Sequence, residues 1–219
     1  MKLKAAIFNL DGVIVDTVPL HFSAWRRMFE EYGKNFTFEN YKTKVDGIPR
    51  DDGVRAILPN LTSDEIREAG DRKQQYFLEY LNKSEVPVYK STISLINQLK
   101  KNNIKAAVVS SSKNSPVILK KIGLYDNIDV VISGDAINIG KPDPQIFLMA
   151  ASQLDVLPAS CAVFEDAVLG VEAAKNAGMF CIGIDRYNEP ERLKEANYIV
   201  KDLNEINLEK LFKLMMKSA

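Results

Sequence analysis

Asn9 and Asp11 stand two residues apart at the end of the apolar run Ala6-Ile7-Phe8, in a turn completed by Leu10, Gly12 and Val13. Two carboxylates at that spacing would supply a nucleophile and an acid/base partner for phosphoryl transfer. Here the first is an amide, a far poorer nucleophile at neutral pH. Further polar groups gather at the ends of later apolar runs: Ser110-Ser111-Ser112-Lys113-Asn114, then Gly140-Lys141-Pro142, then Glu165-Asp166. Acids, hydroxyls and lysines in this combination suit a Mg²⁺ ion held by oxygen ligands beside a phosphate. Each group taken singly has a plainer role as a turn, a helix cap or a solvated lysine. Their recurrence at four run ends is what argues for one site.

Positioning them needs a sheet. Buried-strand character runs through residues 4–10, 104–110, 129–133, 161–165 and 179–184, and more weakly 198–201. Most of these runs are continuously apolar, which suits a parallel sheet covered on both faces. Helical patterns separate them: Ile93, Leu95, Ile96 and Leu99 mark one, Asp143-Pro144 opens another, and 168–177 forms a third that stops at Gly178. The alternation predicts a doubly wound α/β fold, in which ligands bind outside the carboxyl ends of the strands.

One interval breaks the alternation. Between Asp16 and Val88 there is no convincing strand; 20–32 reads as a helix, and Thr62-Ser63-Asp64-Glu65 as a capping box opening a helix to about residue 81. About 70 residues of helix after the first strand imply a helical cap domain at 16–87, inserted into a discontinuous core of 1–15 and 88–219. The chain crosses between the two near 15–19 and 84–88, where Pro19 and Pro87 suit a hinge.

The bulk numbers exclude several classes. The 219 residues are 46% hydrophobic, enough for a substantial core, and Lys+Arg and Asp+Glu are both 29. A zero net charge sets up no field favouring nucleic acid or an anionic membrane. The apolar runs are too short to span a bilayer, and no signal-peptide pattern precedes the first strand, so a cytoplasmic monomer is expected. Cys161 and Cys181 lie in apolar runs without metal-ligand spacing and read as buried thiols.

These motifs resemble the haloacid dehalogenase superfamily of phosphotransferases, and within it the β-phosphoglucomutase-like members. The first motif there is Asp-x-Asp-Gly-Val-x-x-Asp-Thr, and this chain reads Asn9-Leu10-Asp11-Gly12-Val13-Ile14-Val15-Asp16-Thr17. Ser110–Asn114 is similar to the second motif, Lys141-Pro142-Asp143-Pro144 to the third and Glu165-Asp166 to the fourth. Gly47-Ile48-Pro49-Arg50 is similar to the family's cap loop. The resemblance implies a Rossmann-like core with a parallel sheet and an inserted α-helical cap.

It also implies roles. Position 9 would be the nucleophile and a Mg²⁺ ligand, and Asp11 the acid/base, with its carbonyl on the metal. Glu165 and Asp166 would complete the Mg²⁺ site. Ser110, Ser111 and Lys141 would bind the transferring phosphoryl group. Gly47 and Arg50 would meet the second phosphate from the cap, helped by Ser112, Lys113 and Asn114. Thr17 and His21 would couple closure to the acid/base, with Lys73 reaching in from the cap. The plainer expectations are that Trp25 is cap core and that Lys73 is a solvated helix lysine.

The implied activity is Mg²⁺-dependent interconversion of β-glucose 1-phosphate and glucose 6-phosphate through an aspartyl phosphate. Asparagine at position 9 implies binding without turnover, whether introduced to trap a complex or carried by a protein that only binds; a third reading gives the chemistry to another group. Asp46 and Pro49 stand where the mutase carries lysine and serine, which favours a smaller substrate or a sugar-phosphate phosphatase. A non-catalytic phosphosugar-binding protein is the reading outside enzymology.

Overall fold

The structure is a computed structural model and describes residues 3–217. Six strands, β1 (Ala5–Asn9), β2 (Lys105–Val109), β3 (Val130–Ile132), β4 (Cys161–Glu165), β5 (Phe180–Ile184) and β6 (Tyr198–Val200), form one sheet in the order β3-β2-β1-β4-β5-β6. Every neighbouring pair is parallel. Each of the six apolar runs contains a strand, with at most one residue trimmed from either end and none from 161–165. β1 is buried along its whole length because alternate residues face two different cores: Ala6 and Phe8 join one, Ala5 and Ile7 the other.

The first core is roofed by α5 (Lys90–Lys101), α6 (Ser115–Lys121) and α9 (Leu208–Lys217), the second by α7 (Gln145–Gln153) and α8 (Val168–Asn176). Phe8 and Phe164 stack at 4.6 Å across β1 and β4, which fixes the centre of the sheet. Cys161 and Cys181 are free and buried on the second face, and burial raises both thiols, Cys161 to about 11. α7 begins one residue later than Asp143-Pro144 suggests, at Gln145 rather than Pro144. The Asp143 carboxylate accepts from the Gln145 N–H at 2.8 Å, so the polypeptide makes an Asx turn before it coils.

Between β1 and α5 the named elements are all helical: α1 (Val18–Glu31), a single turn α2 (Phe38–Asn40) running into a π-helical segment (Tyr41–Val45), α3 (Arg50–Ile57) and α4 (Ser63–Lys83). They share an apolar cluster that includes Trp25, Met28, Phe29, Phe36 and Val54. The capping box of α4 is formed on both sides, Thr62 accepting from Glu65 N and Glu65 accepting from Thr62 N. The segment leaves and returns through one two-stranded strap. Val15 bridges Val88 antiparallel, Asp16 N donates to Pro87 O at 2.9 Å, and Tyr89 N donates to Ile14 O at 2.9 Å. On the far side the inserted helices meet the loop after β5, through Lys42 Nζ to Glu189 at 3.0 Å and Phe38 edge-on to Tyr187. Among the described residues no helix is long and apolar enough to cross a membrane.

Candidate active site

A pocket of about 230 Å³ opens between the carboxyl ends of the strands and the inserted helices. Its floor is Asn9 at the end of β1 and Asp11 after it, Ser110–Lys113 after β2, Gly134 after β3, Lys141, and Ala167 after β4. Its roof is His21 and Trp25 from α1, the stretch Val45–Asp51, and Lys73 and Gln74 from α4. The strand order reverses direction between β1 and β4, so Asn9 and the Glu165-Asp166 pair flank the crevice that such a reversal opens.

Both carboxylate oxygens of Asp11 are engaged. One oxygen accepts from the Thr17 hydroxyl and the other from Ser110 Oγ at 3.1 Å. Thr17 sits at the N-cap of α1 but leaves the helix uncapped, because its hydroxyl is committed to Asp11. His21 Nε2 lies 3.4 Å from the same carboxylate, too far for a formed bond, and has no other partner. Burial alone would raise the Asp11 carboxyl; His21, Thr17 and Ser110 together outweigh it and hold it at about 2. His21 is itself lowered, by burial and by the Lys73 cation, against the pull of Asp11. Lys73 Nζ lies 2.8 Å from His21 Nδ1; as an ammonium it can only donate, and the imidazole hydrogen is then on Nε2, facing Asp11.

Lys73 is not solvated. It is 4% exposed, enclosed by His21, Trp25 and Phe77, with its ammonium 4.9 Å from the indole centroid. Burial drives it down to about 7, against the attraction of Asp11 and with the repulsion of Arg50. Trp25 is buried as expected, and its ring is also pocket wall.

Lys141 and Glu165 form an ion pair with side-chain exposures of 1% and 0%. The second Glu165 oxygen accepts from the N–H groups of Asp166 and Ala167, both at 3.0 Å, at the start of α8. Glu165 therefore anchors Lys141 and the strand end, and its oxygens are taken. Asp166 is raised well above the usual carboxylate range by burial and by the neighbouring acids Glu165 and Asp46.

The fit to Mg²⁺ turns on Asn9. The Asp11 carbonyl and the Asp166 Oδ1 atom converge on one point, as two hard oxygen donors should. The point is taken by Asn9 Nδ2, 2.9 Å from the first and 3.2 Å from the second. Asn9 Oδ1 faces away and accepts from Lys141 Nζ at 3.2 Å. Gly12 (φ +76) runs so close beneath that any β-carbon there would strike the Asp166 carboxylate. Among the described residues no group of three or more His, Cys, Asp or Glu side chains is arranged to hold a metal. The two oxygens fit a hard cation; the Asn9 amide fits only if it turns over.

The remaining predicted residues divide. Ser111 Oγ donates to the Gly47 carbonyl at 2.8 Å, tying the roof loop to the floor. Ser112 and Lys113 line the pocket, Lys113 at its rim. Arg50 opens α3 at the pocket wall; its Nη2 donates to Asp71 at 3.0 Å, and its Nε, without a hydrogen-bond partner, lies 3.7 Å from Asp51. Asn114 is the exception. It is buried in a reciprocal amide pair with Gln74 and does not line the pocket. Gln74 does line it and escaped the sequence reading; its place beside Lys73 on α4 was the available signal. Asp46 also lines the roof, with its Oδ2 buried and unpartnered, and burial and the nearby Glu165 raise it to about 7.

Residues 6–184 match the family model described as haloacid dehalogenase-like hydrolase. A β-phosphoglucomutase of Bacillus subtilis is 35% identical over 216 residues, covering 95% of this chain and 94% of that protein. A phosphorylated carbohydrates phosphatase of Thermotoga maritima is 34% identical over 206 residues, covering 90% and 93%. The crystal structure of a β-phosphoglucomutase from Clostridium difficile superposes with a TM-score of 0.92 at 30% identity, covering 99% of this chain and 98% of that one.

Proposed function

From the premise that this chain belongs to the haloacid dehalogenase-like hydrolase family, we propose that it is a phosphosugar protein of the β-phosphoglucomutase type whose turnover is held down by Asn9. The observation that carries this reading is one pocket that brings Lys141 and the Ser110–Ser112 hydroxyls of the floor opposite Arg50 in the roof. Lys141, Ser110 and the Ser111 N–H would receive the transferring phosphoryl group. Arg50, Lys113 and the loop at Gly47 would receive a second phosphate on the same sugar. A pocket of about 230 Å³ suits a monosaccharide rather than a polymer.

The inserted helices at 16–87 would act as a cap over a core of 1–15 and 88–219, excluding water so that transfer to sugar competes with hydrolysis. Asp11, held ionised by Thr17 and Ser110, would first accept the proton of the attacking sugar hydroxyl. Thr17 and His21 position that carboxylate, and Lys73 sets the His21 tautomer. With a phosphorylated aspartate at position 9 that hydroxyl would attack its phosphorus, and the bond from phosphorus to the carboxylate would break. In the return half the freed carboxylate would attack the other phosphate of the bisphosphate while Asp11 gives its proton to the departing sugar oxygen. Mg²⁺, held by the Asp11 carbonyl, Asp166 and position 9, would supply charge neutralisation to the phosphoryl oxygens. With asparagine the attack fails, a loss on the order of 10⁴–10⁶-fold by comparison with removal of other essential nucleophiles. We place the protein in the cytoplasm as a monomer.

One observation favours a second reading, a sugar-phosphate phosphatase. Asp46 puts an unpartnered carboxylate oxygen in the roof, where it would repel a second phosphate and hold water. The test is steady-state activity of the chain and of Asn9→Asp, side by side, with Mg²⁺ and β-glucose 1-phosphate plus a trace of the 1,6-bisphosphate. Glucose 6-phosphate from the aspartate form alone supports the mutase. Free phosphate without isomerisation supports the phosphatase. No turnover of this or related phosphosugars by either form would leave a binding protein and refute the enzymatic reading.

A further inference from the structure

The Asn9 carboxamide touches three groups, and their chemistry fixes which way round it lies. The Lys141 ammonium has donors and no acceptor, so the end facing it at 3.2 Å is the oxygen. The Asp11 carbonyl and Asp166 Oδ1 offer lone pairs, so the end facing them is the NH₂. That NH₂ group stands where the two oxygens converge. An aspartate at position 9 would bring a third oxygen to the same buried point, and three acceptors there need a cation or a proton between them.

We infer that the Asn9 amide is a built-in substitute for the divalent cation: it keeps the phosphate floor assembled on its own, so the resting protein takes up phosphate without a metal. Turning the amide to present its oxygen to a cation breaks all three of its hydrogen bonds and sets its NH₂ against the Lys141 ammonium. Lys141 has little room to retreat, since it is buried against Glu165. Three lost hydrogen bonds and an opposed donor pair weaken cation binding on the order of 100-fold or more relative to an aspartate at this position. Meanwhile the floor carries one negative charge fewer than an aspartate site, so Lys141 and Ser110 meet an incoming phosphate without a cation to offset that charge. The phosphate half of this inference rests on the phosphosugar reading; the cation half stands on the Asn9 contacts alone.

The experiment compares the chain with Asn9→Asp in EDTA and in millimolar Mg²⁺, by thermal unfolding and by calorimetry with inorganic phosphate. Mg²⁺ should leave the midpoint of the chain as it stands unchanged and raise that of Asn9→Asp by roughly 5–10 °C, the shift expected at a hundredfold excess over the dissociation constant. Phosphate affinity of the unaltered chain should agree within about twofold between the two buffers, a difference of under half a kcal/mol. A Mg²⁺ shift in the unaltered chain as large as in Asn9→Asp would overturn the inference. So would a variant that folds yet ignores Mg²⁺, because the pocket would then not be a cation site for the amide to replace. If Asn9→Asp does not fold, the unaltered chain decides alone: phosphate binding abolished by EDTA, or tightened more than tenfold by Mg²⁺, refutes the proposal. Failure of turnover on any sugar leaves these readouts untouched.

Discussion

Gly70 lies in the middle of α4, where glycine is unfavourable by about 1 kcal/mol relative to alanine. A β-carbon at that position would come within 3.1 Å of Asp51 Oδ1 and 3.2 Å of Arg50 Nε. The glycine thus makes a notch in α4 through which the Arg50 side chain passes to the pocket wall. Replacing it with alanine sets helix propensity against that passage. Both crowded atoms belong to side chains with solvent on one side, Arg50 20% and Asp51 52% exposed, so a shift of a few tenths of an ångström relieves the contact. Propensity should therefore win for stability: Gly70→Ala is expected to raise the unfolding midpoint by about 2–4 °C in a chain of this size. Ligand recognition should move the other way. A guanidinium displaced from its working position loses bidentate geometry, and since a 1 Å misplacement is worth about 100-fold, a few tenths should cost roughly three- to tenfold in affinity for a sugar bisphosphate. The assay is thermal unfolding beside calorimetry with glucose 1,6-bisphosphate, run also in an Arg50→Ala background, where the alanine at 70 should no longer affect affinity. A stabilised Gly70→Ala with undiminished affinity would refute the reasoning, as would an affinity loss that persists without Arg50.

Two further perturbations test the buried charges. Lys141→Met should cost about 3–5 kcal/mol in urea unfolding, because it strands the Glu165 carboxylate at 0% exposure, and adding Glu165→Gln should restore most of that loss; an unchanged midpoint in the single variant would show the pair to be unimportant. Lys73 sits at about 7 when folded against an ordinary 10.5, so between those values the unfolded chain holds a proton that the folded one lacks. Stability from this group therefore rises with pH across that window and is flat below it. Compared with Lys73→Met, the unaltered chain should gain on its variant between pH 7.5 and 9.5, and an identical stability difference at both pH values would contradict the burial argument.

The sheet was legible because its strands are continuous apolar runs, and no other element reads that way at that length. The start of α4 was legible for a different reason: Thr62 and Glu65 carry a local signal that needs no tertiary partner. The site floor followed from knowing where a parallel sheet puts its loops. The roof was harder. The resemblance brings Lys73 toward the site, but by itself it reads as a solvated lysine, because its burial depends on α1 delivering His21 and Trp25 to one face of α4, which no local pattern encodes. Asn114 sits in a motif whose neighbours all line the pocket, yet Gln74 takes its amide, and that pairing spans 40 residues. Gly70 in a helical stretch signals only a local weakness until the position of Arg50 is known.

The strap at Val15 and Val88 has a consequence for how the chain reaches its native state. To the sheet, everything between those residues is a single loop whose two ends are already side by side. The entropy of closing a flexible loop grows only with the logarithm of its length, about 0.6 kcal/mol for each doubling. The length of the helical segment is thus nearly indifferent to sheet assembly, whereas the join between its ends is not. Ordering the Asp16–Pro87 and Ile14–Tyr89 backbone bonds sets the end of β1 into its turn and delivers the start of α5 in the same step. Assembly of the sheet then hinges on a contact between residues far apart in the chain, a high-contact-order event that belongs among the slower steps of folding.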